Sequence, residues 1–213
     1  MWIKKRFRLL PQNRRFPEYK WMLIRRNTAH LAGTMVLLVT YFSGLESGLI
    51  WIYSGALIYS VYELLKWSFG YESSKLSKAF KLVGSPEYDQ NMPYGGPLYF
   101  GLGVISVVLL FRYPIACASI AILTVGDSIA AIVGALFGRT RLQINYKKSL
   151  EGSLAGFVSA FFVAMFYVPP AVAAVGAFVG MVFEALSTRV NDNLTIPISA
   201  ALAMTISSFF VVF

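Results

Sequence analysis

Apolar stretches alternate with short polar loops along almost the whole chain, and most of the apolar stretches have the length of membrane helices. A helix needs about 20 mainly apolar residues to cross a bilayer, and about 17 at the short end. The pattern therefore predicts an all-α fold, a polytopic transmembrane helix bundle with about seven spans. The predicted spans are 28–43, 49–67, 96–111, 115–137, 149–167, 171–186 and 194–213.

Residues 1–26 have a different pattern, in which basic residues alternate with aromatic and aliphatic ones and two prolines interrupt any long helix. We interpret this segment as a basic cytosolic arm that lies on the membrane surface. Its basic region is too long for a signal peptide, and no small-residue cleavage site follows the first apolar run. The remainder, 27–213, is expected to be a single membrane-embedded domain.

Composition supports a membrane location. The chain is 57% hydrophobic and only 14% charged, whereas soluble domains carry about 25% charged residues. Polar surface is too scarce to cover a water-facing globule, so lipid is expected to cover much of it. The single cysteine, Cys117, lies in an apolar run and excludes an intrachain disulfide.

The basic residues predict the orientation of the bundle. Nine of the 19 lysines and arginines precede residue 27, and all the others except Arg112 fall on one side of the predicted spans. The positive-inside rule then places the N-terminus and the loops 68–93, 138–148 and 187–193 in the cytosol. Since these cations flank membrane spans, anionic lipid headgroups are favoured over nucleic acid as their partners. The membrane is the cell membrane of a prokaryote, or the endoplasmic reticulum or another organelle of a eukaryote.

Asp127 stands in the middle of the fourth predicted span. A charge in hydrocarbon is costly unless it faces a partner or a polar cavity, so an intramembrane carboxylate is a candidate functional residue. Ala130, Ala131, Gly134 and Gly138 follow it at helical spacing and share its face. Small residues in this pattern favour close helix packing, which also permits a homodimer, but packing does not need a carboxylate.

The fifth predicted span opens with a basic and polar sequence, residues 147–152. Lys147 and Lys148 are point charges suited to phosphate oxygens, and Ser149, Glu151 and Gly152 begin a helix whose N-terminal N–H groups suit an anion. Positive-inside placement explains the lysines equally well, and a carboxylate in the first helical turn stabilises the helix dipole without further function.

Other polar residues gather at the same membrane face. Asp192 and Asn193 precede the seventh span, where they either cap the helix or hold a metal, or do both. The only histidine, His30, is expected to be structural, and zinc is not expected. The acidic residues inside or bordering the spans, other than Asp127, are Glu63, Glu151, Glu184 and Asp192, with Arg26 and His30 at the start of the first span.

In this order the motifs resemble the integral-membrane, CTP-dependent lipid kinases: dolichol kinase, phytol kinase and yeast-type diacylglycerol kinase, which are related to the CDP-diacylglycerol synthase-like proteins. The resemblance covers roughly residues 26–200 and departs from the family at Asn27, where a lysine is usual. It rests on Arg26 and His30, on Glu63, on GGPLYF with Tyr99, on GDSIAAIVGALFG followed by KKSLEGSLAG, and on Glu184 with DNLTIP.

The resemblance implies that the domain is catalytic and transfers the γ-phosphoryl group of CTP to the hydroxyl of a membrane lipid alcohol. The expected cofactor is Mg²⁺, held by Asp127, Asp192 and Asn193. Glu184 or Asp127 accepts the proton of the alcohol, and His30, Glu63 and Tyr99 have supporting roles. Residues expected to bind the nucleotide are Arg26, Gly126, Gly134, Gly138, Lys147, Lys148, Ser149, Glu151 and Gly152.

Three alternatives remain open at this point, and the last, a non-catalytic membrane scaffold, would leave the gathering of polar residues at one membrane face unexplained. A cytidylyltransferase that makes a CDP-lipid would release pyrophosphate, whereas a kinase releases CDP. A small ion-coupled transporter would use Asp127 in an ion path. Such transporters often have paired halves with broken helices, which this sequence does not display.

Overall fold

The computed structural model describes residues 95–211, except 188 and 189, together with ten isolated positions before residue 95. Every one of those ten positions is helical. They are Asn27, Leu31, Thr34, Leu37, Leu38, Tyr41, Phe42, Ile58, Val61 and Leu65. The predictions for Arg26, His30, Glu63 and the arm 1–26 lie outside the described residues.

The described chain consists of helices joined by short turns, with no strand. In chain order they are α1 (Gly95–Leu110), α2 (Tyr113–Ala121), a π-helical segment (Ile122–Asp127), α3 (Ser128–Phe137), α4 (Leu150–Ala164), α5 (Pro170–Leu186) and α6 (Asp192–Ser208). The all-helical prediction is therefore confirmed for this part of the chain. Each of these helices falls within a few residues of a predicted span.

One helix in the described part is long and apolar enough to cross a membrane by length and composition. It runs without interruption from Tyr113 to Phe137, through α2, the π-helical segment and α3. Its 25 residues correspond to about 38 Å at 1.5 Å per residue. Three shorter apolar helices accompany it, at Tyr99–Leu110, Leu150–Ala164 and Pro170–Leu186.

Small residues set the distances between the helices. Gly176 and Gly180 of α5 lie directly against Met204 and Ala200 of α6, so a side chain at either glycine would collide or crowd. Gly103 of α1 lies in the same way against the backbone carbonyl of Asn193. Close contact through small residues is the usual way in which apolar helices associate where the hydrophobic effect cannot drive them together.

Large apolar side chains lie on the outside as well as in the core. Ile122, Met181 and Met204 are buried between the helices. Large apolar residues on the outer faces of α1 and α3–α6 are more than a third exposed. They include Leu102, Leu109, Phe137, Leu154, Val158, Phe162, Phe178 and Leu202.

Candidate active site

Asp127 is the last residue of the π-helical segment, where the long helix Tyr113–Phe137 contains a wider turn. Such turns occur mostly as single insertions in α-helices and are frequent at functional sites. The prediction placed Asp127 on the face that carries Gly134 and Gly138. The structure adds Gly126, the residue before Asp127, to the small residues of this helix that contact neighbouring helices.

The face formed by Gly126, Ala130 and Gly134 packs on α4. A Cβ at Gly126 would lie 2.8 Å from Met181 Sδ and 3.1 Å from Ala160 Cβ, and one at Gly134 would lie 3.0 Å from Ser149 Oγ. A Cβ at Gly138 would also collide with Ser149. Protein atoms therefore already occupy the space beside all three glycines. Helix packing, which the sequence left open, accounts for them without an approaching nucleotide.

Residues 138–149 form a hairpin between α3 and α4. The amide of Leu142 donates to the carbonyl of Lys148 over 3.2 Å, and Arg141 and Ser149 pair as an antiparallel bridge. The amide of Thr140 donates to the Glu151 carboxylate at 3.0 and 3.2 Å. The hairpin therefore has a fixed shape, and Glu151 holds it at its base.

The start of α4 is where the sequence places it, with Ser149 as N-cap. The Ser149 hydroxyl accepts from the amide of Gly152 at 3.2 Å, and the amide of Leu150 donates to the carbonyl of Thr140. Two N–H groups at this helix terminus thus already have partners inside the protein. A phosphate at this end of α4 would depend more on the lysine before the cap than on the helix itself.

That lysine, Lys148, lies among three carboxylates from three different elements. Its Nζ is 3.2 Å from Asp127 Oδ1, 2.5 Å from Glu184 Oε1 and 3.3 Å from Asp192 Oδ2. The Glu184 side chain is completely buried, and the other side chains of the cluster are between 15% and 29% exposed. The sequence predicted all four as site residues, and the structure brings them together. We refer to them as the Lys148 cluster.

Burial lowers the pKa of Lys148, but the charges of Asp127, Glu184 and Asp192 outweigh burial and hold the pKa above its ordinary value. The ammonium is therefore protonated at neutral pH. It occupies a place where three acidic side chains need a positive charge, and on its own it compensates only one of them. A divalent cation bound by the two partly exposed aspartates would compensate more of this negative charge, so Asp127 and Asp192 fit Mg²⁺ in the chemistry of their oxygens.

Among the described residues, no three acidic, histidine or cysteine side chains form a complete metal site by themselves. Magnesium does not require one, because it is usually bound by one or two carboxylates while substrate phosphates and water fill its other positions. Asp127 and Asp192 are the residues that would hold it here, on either side of the Lys148 ammonium.

Neighbouring polar residues that the sequence analysis did not single out support the Lys148 cluster. Ser153 Oγ donates to Glu184 Oε2 at 3.3 Å, one turn into α4. Asn145 Nδ2 donates to the carbonyl of Ser187 at 2.9 Å, and the hydroxyls of Ser187 and Thr195 lie 3.3 Å apart. The position of Ser153, four residues after the N-cap Ser149, could have suggested an inward side chain, but nothing in the local sequence marks Asn145.

The N-terminus of α6 differs in one detail from the prediction that Asp192 and Asn193 cap this helix. Asn191, rather than the pair Asp192–Asn193, is the N-cap, and its Oδ1 accepts from the Asn193 amide at 3.0 Å. The Asp192 carboxylate lies in the first turn, where Oδ1 also accepts from that amide while Oδ2 faces Lys148. Asp192 therefore combines a structural contact with a position in the cluster.

Three further positions are less closely tied to the Lys148 cluster. Lys147 is exposed beside it, and its backbone amide donates to Asn145 Oδ1 at 3.3 Å. Tyr99 is half-buried on α1. Asn27 is only 1% exposed, and a neutral amide suits such a buried position better than the lysine usual in the family.

A buried cluster of charged side chains among apolar helices is a candidate functional site. Curated relatives of the chain are named as kinases. The chain is 35% identical over 126 residues to farnesol kinase, chloroplastic, of Arabidopsis thaliana, which is 51% of this chain and 41% of that protein. It is 31% identical over 131 residues to phytol kinase 1, chloroplastic, of the same plant, which is 53% of this chain and 43% of that protein.

An uncharacterised protein of Rickettsia prowazekii is 29% identical over 136 residues, which is 59% of this chain and 65% of that protein. The chain spans less than half the length of the two plant kinases. No protein-family model and no solved structure matches the chain. The relatives confirm the resemblance predicted from the sequence: this chain is related to kinases that act on isoprenoid lipid alcohols.

Proposed function

We propose that the chain is a CTP-dependent kinase that transfers the γ-phosphoryl group to the hydroxyl of an isoprenoid lipid alcohol, yielding a lipid monophosphate and CDP. The observation that carries the proposal is the Lys148 cluster, with Lys148 between Asp127, Glu184 and Asp192. The kinase names of the relatives favour this reaction over a cytidylyltransferase or a transporter.

Phosphoryl transfer needs chiefly positioning of the two substrates and neutralisation of phosphate charge. Lys148 would contact the transferred phosphate, with Lys147 and Arg26 in support. Asp127 and Asp192, with Asn193, would hold Mg²⁺, which when bound supplies further positive charge to the phosphates. These assignments are proposals for this chain, as are the supporting roles of His30, Glu63 and Tyr99.

A carboxylate of the cluster would accept the proton of the alcohol. Glu184 and Asp127 are the two candidates. Glu184 is completely buried with its oxygens on Lys148 and Ser153, whereas Asp127 is 15% exposed. A general base must come within hydrogen-bond reach of the proton that it accepts.

The cluster would lie at the cytosolic face of a bundle of about seven spans with its N-terminus in the cytosol. The exposed apolar surface of α1 and α3–α6 supports an integral membrane location for 27–213, and the basic arm 1–26 would rest on the headgroups. In this arrangement the nucleotide arrives from the cytosol and the lipid alcohol arrives laterally. The small-residue faces permit a homodimer.

Purified protein in lipid nanodiscs tests the proposal directly. Farnesol, phytol, geranylgeraniol, dolichol and diacylglycerol are each offered with radiolabelled CTP or ATP, and the products are separated by chromatography. Labelled lipid monophosphate and CDP are expected, with an isoprenoid alcohol and CTP preferred. Release of pyrophosphate with a CDP-lipid would identify a cytidylyltransferase instead, and ion uptake into proteoliposomes without nucleotide would identify a transporter.

A further inference from the structure

Asn145 is a buried amide in an otherwise exposed hairpin. Only 7% of the surface of Asn145 is exposed, whereas its neighbours Ile144 and Tyr146 are 68% and 67% exposed. Polar side chains usually lie at the surface and apolar ones inside, and here the order is reversed. The free-energy cost of burying the Asn145 amide must therefore be offset by hydrogen bonds.

Those hydrogen bonds run in two directions. Toward the bundle, Asn145 Nδ2 donates to the carbonyl of Ser187 at 2.9 Å. Within the hairpin, Asn145 Oδ1 accepts from the Lys147 amide at 3.3 Å, and the Asn145 carbonyl accepts from the Lys148 amide at 3.0 Å. One residue thus holds the backbone of the two lysines that follow it and fastens that backbone to the end of α5.

The anchor point is part of the same site. Ser187 is the C-cap of α5, three residues after Glu184, and its hydroxyl lies 3.3 Å from that of Thr195 in the first turn of α6, the helix that begins at Asp192. Asn145 therefore connects the part of the hairpin that precedes Lys148 to α5 and α6, the helices that carry Glu184 and Asp192.

We infer that Asn145 is a positioning residue that holds Lys148 between Asp127, Glu184 and Asp192. The placement of Lys148 follows from the contacts alone, whereas its catalytic consequence rests on the proposed function. Asparagine is suited to the position because one side chain both donates and accepts. Aspartate keeps the acceptor for Lys147 but loses the donor for Ser187, and alanine loses both.

Chemical reactivity of the lysines tests the placement without any activity assay. The full chain in nanodiscs is treated with a limiting amount of acetic anhydride, and acetylation of Lys147 and Lys148 is measured by mass spectrometry. In the wild type, the exposed Lys147 reacts well and the ion-paired Lys148 reacts poorly. Asn145→Ala loses both side-chain hydrogen bonds and should increase Lys148 acetylation at least about fivefold relative to Lys147, the factor expected for the net loss of a single hydrogen bond.

Gln143→Ala is the matched control, since Gln143 is an exposed residue of the same hairpin, and it should leave the Lys147 to Lys148 ratio unchanged. Asn145→Asp keeps the acceptor for Lys147 but puts a negatively charged acceptor against the carbonyl of Ser187, so it should also release the hairpin, and it decides the question in the same assay if Asn145→Ala does not fold. An unchanged ratio in a folded Asn145 variant would overturn the inference.

Kinetics then separate this inference from the proposed function. If the wild type phosphorylates a lipid alcohol, Asn145→Ala should raise the KM for the nucleotide about fivefold and change the KM for the alcohol little, because Lys148 faces the phosphates. If the wild type has no kinase activity but Asn145→Ala exposes Lys148 to acetylation, the proposed function fails and the positioning role stands.

Discussion

Thr34 donates a 2.7 Å hydrogen bond to Thr124, although 90 positions separate the two residues. Both side chains are buried, and the hydroxyl of Thr124 donates in turn to the carbonyl of Ile120 at 2.9 Å. Thr124 belongs to the π-helical segment that ends at Asp127. The two hydroxyls therefore connect a helical position near the start of the chain to the segment that places the central carboxylate.

Thr124→Val should weaken both the fold and the activity. Valine has nearly the same shape but removes the acceptor of the 2.7 Å bond from Thr34, and the net loss of such a hydrogen bond costs about 0.5–1.5 kcal/mol. A shift of Asp127 that costs about 1.4 kcal/mol in the transition state would lower kcat about tenfold. Thermal unfolding in detergent and turnover measure the two effects.

Thr205→Val is the matched control for that substitution. Thr205 Oγ1 makes a similar local bond, 2.8 Å from the carbonyl of Ala201 in α6, but lies far along that helix from Asp192. The Thr205→Val variant should therefore lose little activity. Equal losses of turnover in both variants would show that Thr124 has no special connection to Asp127.

Asp127→Asn should abolish turnover while the protein stays folded. The amide keeps the shape of the side chain but removes one of the charges that Lys148 and a metal would share. Loss of an electrostatic contact of this kind typically lowers kcat by 10²-fold or more, which corresponds to an increase of about 3 kcal/mol in the activation free energy. Activity is measured across a Mg²⁺ titration, with size-exclusion chromatography as the folding control. Near-normal activity would remove Asp127 from the mechanism.

Lys148→Met should destabilise the protein strongly, because it leaves the completely buried Glu184 without its positive partner. Breaking a buried ion pair by removing one partner costs about 3–5 kcal/mol. Adding Glu184→Gln should restore much of the stability but none of the activity. Chemical unfolding of the single and double variants gives the coupling free energy, and a coupling near zero would contradict the ion pair.

The pH dependence of stability should reveal the same lysine. The carboxylates hold the pKa of Lys148 above its ordinary value, so its contribution to stability is fully present below the unfolded pKa, about 10.4, and is lost only as pH rises through the folded pKa. The difference in melting temperature between wild type and Lys148→Met should therefore stay constant from pH 7 to pH 9. A difference that shrinks across this range would indicate a neutral lysine.

Gly152→Ala should be more harmful than Gly134→Ala across the same helix contact. A Cβ at Gly152 would lie 2.5 Å from the carbonyl oxygen of Ala130, a backbone atom that cannot move aside. At Gly134 the nearest atom, 3.0 Å away, is the Ser149 hydroxyl, which can turn. Overpacking costs about 1–3 kcal/mol, and the larger value is expected for Gly152. Melting temperatures in detergent provide the comparison, and the reverse order would contradict this packing.

Much of the fold and the centre of the site could be predicted from sequence, since both depend on contrast between apolar and charged residues. Asp127, Glu184 and Asp192 stand out in apolar surroundings, and the sequence places Glu184 and Asp192 at the membrane face of Lys148. The sequence places Asp127 deeper, in the middle of its span, yet this carboxylate lies 3.2 Å from the same ammonium. Asn145 could not be found in this way, because an asparagine in a polar loop has no contrast with its neighbours. Its importance depends on the distant carbonyl of Ser187.

The wide turn between α2 and α3 could not be predicted from the sequence either, because a π-helical turn adds a residue without any distinctive composition. Each residue in a helix advances the side chains by about 100°. If the same residues between Ile122 and Asp127 were wound as an ordinary α-helix, the helix would be just as apolar, but everything beyond the segment would rotate relative to α2. Asp127 would then lose its place beside Lys148, so the chemistry of this protein depends on how the backbone before its aspartate is wound as well as on which residues it contains.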